Sequence, residues 1–328
     1  MPTILDIARV SGVSKSTVSR VLNHHPHVSE DSRRKVEEAI KELSYVRNLR
    51  GVQLRLQRNH TIGIVVPLLD HPYFSRLAGI LTKTCRDAGY KMVIHQTFFS
   101  QDAESEIYDA LIHREVDALI LTHSTFSERE IKSKVQDQIV VVCNEQFDGA
   151  HFDTVGVDEE EATFIATDHL LDQGAFPLIF CGDDMDSPLQ QKRWEGFKLA
   201  HAHHGLECAD TCCYNKIITI EDGLALGEEL FRTASPPKGI VAGSDFVAAG
   251  LLAAANAARL SVSEDVKIIG FDDLPICLTT SPTLSSISYA LDEIALDLMG
   301  RLKQRLQGKN PKPLLIEQKP VLVRRGSS

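Results

Sequence analysis

At 328 residues the chain has room for two or three domains, and its 43% hydrophobic share supports a sizeable core. No run of about 18 apolar residues occurs, and "MPTILDIARV" carries Asp6 where an export signal needs a basic start and an apolar stretch, so neither a membrane span nor secretion is expected. The net charge of −10 is unevenly spread: residues 1–60 hold eleven basic and six acidic side chains, net +5, and the remainder holds 24 basic and 39 acidic, net −15. A cationic head on an anionic body suits a polyanionic partner for the head alone.

Seven scattered cysteines, an odd number, point to reduced thiols in the cytoplasm rather than a disulfide framework.

Thr3 is placed to cap a first helix with Ile4, Ile7 and Ala8 on one face. Gly12 breaks it, and Ser14 caps a second helix from Lys15 to about Asn23 whose thin apolar stripe is Val18, Val21 and Leu22. A third follows Ser29, with Glu30 and Asp31 at its positive end and Val36, Ile40 and Leu43 facing inward. Three short helices with a glycine turn between the first two make a helix-turn-helix, whose second helix enters the major groove of double-stranded DNA. That explains the polar crowd in "KSTVSR": Lys15, Ser16 and Arg20 are the candidate base readers, since arginine can grip guanine with two bonds, and Thr17, Ser19 and Asn23 are candidates for phosphate. The expected domain is 1–46.

The run "TILDIARVSGVSKSTVSRVLN", continuing through "VSEDSRRKVEEAIKELSY", resembles the N-terminus of the LacI/GalR family of bacterial transcriptional regulators, in which a V-S-x-x-T-V-S-R-x-L-N run is the hallmark. The likeness extends more loosely over the rest of the chain. It implies that Lys15, Ser16 and Arg20 read operator bases. It also implies that residues 47–60, within "YVRNLRGVQLRLQRNH", form a hinge segment that becomes helical on DNA. There Asn48 would contact DNA and Leu54 would wedge into the minor groove. Tyr45, Asn48 and Leu54 fit that pattern; Arg47, Gly51 and Val52 depart from it. So short a segment is not an independent helix in water, and Gly51 costs about 1 kcal/mol relative to alanine. A flexible basic linker is the other reading of this segment.

From Thr61 β-branched runs alternate with helical ones, which implies parallel sheets covered on both faces. The alternation restarts near residue 158, predicting an α/β body over 61–328 with two parallel-sheet lobes, 61–157 and 158–285, and a final strand-helix-strand crossover ending in "PVLVRR". The resemblance implies a body like a periplasmic sugar-binding protein. Ligands of such sheets bind beyond the carboxyl ends of the strands, so the candidate effector residues follow strands or face them. They are Tyr73 and Phe74 as an apolar wall, Thr122, Asn144, Arg193 in "RWEGF" with no ion-pair need at helical spacing, Ser244 in "GIVAGSD", and Asp272 in "IIGFDD". Core packing is the alternative for the two aromatics. Asp245 is expected to cap the next helix and Asp273 to be structural. This polar set around aromatic faces suits a polyhydroxylated ligand and also admits a nucleobase.

His201, His203 and His204 with Cys208, Cys212 and Cys213 lack paired zinc-ligand spacing, so neither metal nor cofactor is expected. No nucleotide-binding glycine motif and no catalytic constellation is evident. The expected molecule is a homodimeric regulator on a near-palindromic operator, a repressor of carbohydrate-utilisation genes released by a sugar or sugar phosphate. A corepressor-dependent regulator responding to a purine or partner protein is the alternative; a sugar-transport receptor or an α/β enzyme stands further off.

Overall fold

The structure is a computed structural model in which residues 2–22, 25–45, 59–144, 147, 151–309 and 311–328 are described. It divides into two compact units, 1–58 and 59–328.

The small unit is three helices, α1 (Ile4–Ser11), α2 (Lys15–Leu22) and α3 (Glu30–Glu42). Thr3 and Asp6 form a reciprocal capping box on α1, with the Asp6 amide donating to Thr3 Oγ1 and the Thr3 amide donating to Asp6 Oδ2 at 2.9 Å. Gly12 then ends α1 in the left-handed region at φ 66°, where a side chain would be strained. Ile7, Val18, Val21, Val36 and Ala39 close the core, with Leu22, Ile40, Leu43 and Tyr45 packed around it. Each large aliphatic so buried contributes about 1.5–3 kcal/mol.

The large unit holds two six-stranded sheets. The first has the order β11-β5-β4-β3-β1-β2, from β1 (Thr61–Val66), β2 (Lys91–Gln96), β3 (Ala118–Leu121), β4 (Val140–Cys143), β5 (Asp153–Val157) and β11 (Leu315–Gln318). The second has the order β12-β10-β9-β8-β6-β7, from β6 (Leu178–Cys181), β7 (Cys213–Tyr214), β8 (Gly239–Ala242), β9 (Lys267–Phe271), β10 (Ser285–Ser288) and β12 (Val321–Val323). All pairings are parallel except β10 with β12. The inner strands β3, β4, β6 and β8 are buried along their whole length, as strands covered on both faces must be.

Helices α4 (Pro72–Asp87), α5 (Gln101–Ile112) and α6 (Glu128–Val135) belong to the first lobe. The second carries α7 (Glu159–Asp172), α8 (Pro188–His203), α9 (Ile220–Leu230) and α10 (Asp245–Ala257), and α11 (Leu291–Leu306) returns to the first. The backbone therefore crosses between lobes after β5, after β10, and between β11 and β12. The sequence pattern showed one last strand; the fold has two, because Lys319 and Pro320 break the run and each half joins a different sheet. Asp153, fully buried, receives Arg301 and Arg305 and so pins α11 to β5.

Candidate functional site

Two sites emerge, one in each unit. On α2, side chains at Lys15, Ser16, Ser19 and Arg20 share a face of about 140° opposite buried Val18 and Val21. Ser14 Oγ accepts the Thr17 amide at 3.1 Å and starts the helix. Lys15, Ser16 and Arg20 are exposed, while Thr17 and Ser19 are half-buried at the edge of the stripe. Elsewhere in the head Arg9 pairs with Asp6, Arg34 with Asp31 and Glu38, and Lys35 with Asp31. Lys15 and Arg20 form no ion pair among the described residues. The face of α2 that carries the candidate readers therefore bears two cations without an acidic partner among the described residues. Asn23, Asn48, Gly51 and Leu54 lie outside the described residues, and so does the hinge as a whole.

The second site lies where the strand ends of the two lobes meet. Arg193, in the second turn of α8, is buried. Its Nε donates to Glu159 Oε2 at 2.7 Å, Nη1 to the Gly243 carbonyl at 2.9 Å, and Nη2 to the Tyr289 hydroxyl at 2.7 Å. That hydroxyl in turn donates to Glu159 Oε2 at 3.0 Å, and the guanidinium lies 4.6 Å from the centre of the Phe271 ring. Burial works against the charge on Arg193, but Glu159 and Tyr289 outweigh it and hold the guanidinium protonated. Arg193 thus finds its ion-pair partner not at helical spacing but on another helix, 34 residues away. Gly196 makes the meeting possible: a Cβ there would fall 2.1 Å from the Glu160 carbonyl, so glycine lets α8 close on α7.

Asp272, the first residue past β9, has φ 96° and is 7% exposed. Its carboxylate accepts no hydrogen bond among the described residues. Burial and neighbouring Asp245 push its pKa up to about 8 against the pull of Arg193. Asp245 does not cap α10 as expected; Ser244 does, accepting the Val247 amide at 3.2 Å. The Asp245 carboxylate instead takes the Leu274 amide and the Ser286 hydroxyl, both at 2.6 Å. Asp273 pairs with Arg325 at 2.6 Å, and its carbonyl accepts Arg76 Nη1 of α4 at 2.7 Å, which bridges the lobes.

In the first lobe Tyr73 is buried and its hydroxyl accepts the Asn144 side-chain amide. Asn144, at φ 59°, leaves its buried Oδ1 without a partner among the described residues. Phe74 is half-buried, 5.3 Å from the His71 ring and edge-on to Tyr73 at 5.2 Å, so it supports Tyr73 as well as packing on the core. The Thr122 hydroxyl donates to the Val65 carbonyl at 2.8 Å and keeps only acceptor capacity. The lobes face one another here: Tyr73 feels the fields of Asp272, Glu159 and Arg193, and His123 feels Asp184. Sequence reasoning missed Glu159, Tyr289, His71, His123, Asp183 and Gln190. All but Gln190 stand one to five residues beyond a strand, which was the available signal.

Away from the cleft, Asp168 Oδ1 lies 3.0 Å from both His203 Nδ1 and His204 Nε2. The three groups could meet around an ion, but hydrogen bonds already account for them. No helix of the described residues is long and apolar enough to cross a membrane.

Residues 3–48 match the family described as bacterial regulatory proteins, lacI family, and residues 167–328 match a periplasmic binding protein-like domain. The chain is 33% identical to the NTD biosynthesis operon regulator NtdR of Bacillus subtilis (strain 168) over 308 residues, 94% of each chain. It is 29% identical over 331 residues to the ribose operon repressor of Escherichia coli (strain K12), covering 100% of both. The fold matches the crystal structure of the lac repressor dimer bound to operator and the anti-inducer ONPF with a TM-score of 0.88, at 21% identity, over 99% of this chain and 98% of that one. The three-helix reader and the two-lobed parallel-sheet body thus stand in one polypeptide for a physical and a familial reason alike, and the chain belongs to the lacI family of bacterial regulatory proteins, ligand-responsive transcriptional repressors that bind DNA.

Proposed function

We propose that the chain is a homodimeric repressor of carbohydrate-utilisation genes, acting in the cytoplasm on nucleoid DNA and controlled by a sugar-class effector held between its lobes. It is read as a regulator rather than an enzyme. Lys15, Ser16 and Arg20 read base edges of a near-palindromic operator, Thr17, Ser19 and Asn23 hold phosphates, and Asn48 and Leu54 act in the hinge. The effector ring lies against Tyr73 and Phe74, and its hydroxyls meet Thr122, Asn144, Arg193, Ser244 and Asp272.

The observation that supports this best is the convergence of buried polar groups from both lobes, with Arg76 already spanning them. An effector that binds one relative placement of the lobes more tightly than another shifts the equilibrium by that difference, typically about 1–3 kcal/mol. Operator binding by Arg193→Ala with and without effector tests the reading. A repressor released by its effector stays bound to operator in the variant at all effector concentrations; a corepressor-dependent protein instead stays free. An unchanged response to effector would overturn the site.

A further inference from the structure

Among the described residues five buried side-chain polar atoms lack a hydrogen-bond partner, and three belong to the cleft: His71 Nδ1, Asn144 Oδ1 and Gln190 Oε1. Asn144 and Gln190 are 9% and 7% exposed. Gln190 Oε1 lies against Gly182, just past β6: a Cβ built on that glycine would be 3.2 Å from it. The two amide oxygens are acceptors, and the Asp272 carboxyl, which accepts no hydrogen bond among the described residues, becomes a third once it ionises. Several donors nearby already serve the protein, while the Tyr73 hydroxyl, which accepts from Asn144, keeps its own hydrogen. Arg193 gives Nε, Nη1 and Nη2 to Glu159, Gly243 and Tyr289, and Tyr289, Thr122 and Arg76 give theirs to Glu159, Val65 and Asp273.

Charge points the same way. Glu159 cancels Arg193 and Asp273 cancels Arg325, which leaves Asp272, Asp183 and Asp184 against Arg76 alone. Burial lowers the pKa values of His71 and His123, so neither imidazole supplies a positive charge at neutral pH. Burial and Asp184 raise that of Asp183, which also feels Arg193. A phosphate would meet these acidic groups with Arg76, already bonded to the Asp273 carbonyl, as the one guanidinium there without a carboxylate partner among the described residues.

We propose that the effector is an aminated sugar, with an ammonium group beside Asp272 and hydroxyls donating to Asn144 and Gln190. An ammonium has donors only, which is what three unmatched acceptors require. It also favours the ionised form of a carboxyl held protonated by burial. Near neutral pH, binding therefore transfers the Asp272 proton to buffer. The groups around that carboxyl are Asp245, Arg193, Glu159 and Arg76, with Tyr73 facing it from the other lobe.

This rests on the carbohydrate reading above, and the test separates the two. The full chain is titrated with glucosamine and galactosamine, with glucose and galactose, and with glucose 6-phosphate, by thermal shift and by calorimetry in two buffers of different ionisation enthalpy. The aminated sugars are expected to bind at least about tenfold more tightly than their neutral counterparts, with an enthalpy that changes with the buffer. Asp272→Asn, which keeps a residue tolerant of this φ, should lose both the preference and the buffer dependence. Neutral or phosphorylated sugars binding as well or better would overturn the amine and leave the carbohydrate reading standing. No stabilisation by any of the three series would overturn both. A variant that keeps the amine preference would overturn the role of Asp272.

Discussion

Replacing Asp272 with asparagine should make the body more stable at neutral pH, although it removes a residue of the site. In the unfolded chain this carboxyl ionises near 3.8, whereas in the fold burial and Asp245 push it up to about 8. The folded state thus holds a proton that the unfolded state has released. Stability contributed by the group is fully present below 3.8 and is lost as pH rises toward 8, by about 1.4 kcal/mol per pH unit. At pH 7, about three pH units above the unfolded value, the loss amounts to about 4 kcal/mol. Asparagine fills the same space, tolerates the positive φ and has no proton to lose. Urea unfolding at about pH 4.5 and about pH 7.5 checks this. The only tryptophan, Trp194, stacks on Phe197 beside Arg193 and reports the lobe that carries Asp272. The variant should gain several kcal/mol over the native chain at the higher pH and only a small part of that at the lower. A difference that does not change with pH, or a variant less stable at pH 7.5, would refute the argument.

Arg20→Ala should weaken operator binding by about 1–3 kcal/mol. Fluorescence anisotropy on operator and scrambled duplexes distinguishes its role, since an equal loss on both would make it a phosphate contact and not a reader. Gly196→Ala places a methyl carbon 2.1 Å from the Glu160 carbonyl. The helices must separate, which should destabilise the body by about 1–3 kcal/mol and weaken the Glu159–Arg193 pair; an unchanged melting temperature would refute that contact.

Much of the architecture could be read from periodicity, because most strands of the two sheets are short β-branched or apolar runs, β7, β10 and β11 excepted, and each reader helix has a cap and a stripe. The site was legible at one end of every bond and obscure at the other. The rule that ligands bind beyond strand ends picked Tyr73, Asn144 and Asp272, and it equally covered His71, His123 and Asp183, which were passed over. Arg193 stood out, and Glu159 and Tyr289 also follow strands, but their meeting with Arg193 depends on helix packing and a lobe crossing, which leave no local pattern. Ser244 and Thr122 were read as effector contacts. Each satisfies a nearby main-chain group instead, because a hydroxyl at a helix start or strand end has such a group within reach before any ligand arrives. The exchange of roles between Ser244 and Asp245 has a similar cause. Both residues suit a cap, and only the buried Ser286 hydroxyl and Leu274 amide, supplied by remote segments, decide which one is used.

The three passages of backbone between the sheets act as parallel straps, so one lobe can turn relative to its neighbour only by twisting all of them together. Arg193 is bolted to two of these straps, to Glu159 just after the first and to Tyr289 within the second. One guanidinium thus ties the helix that carries it to both passages, and any turn of one lobe against the other must strain or break its bonds.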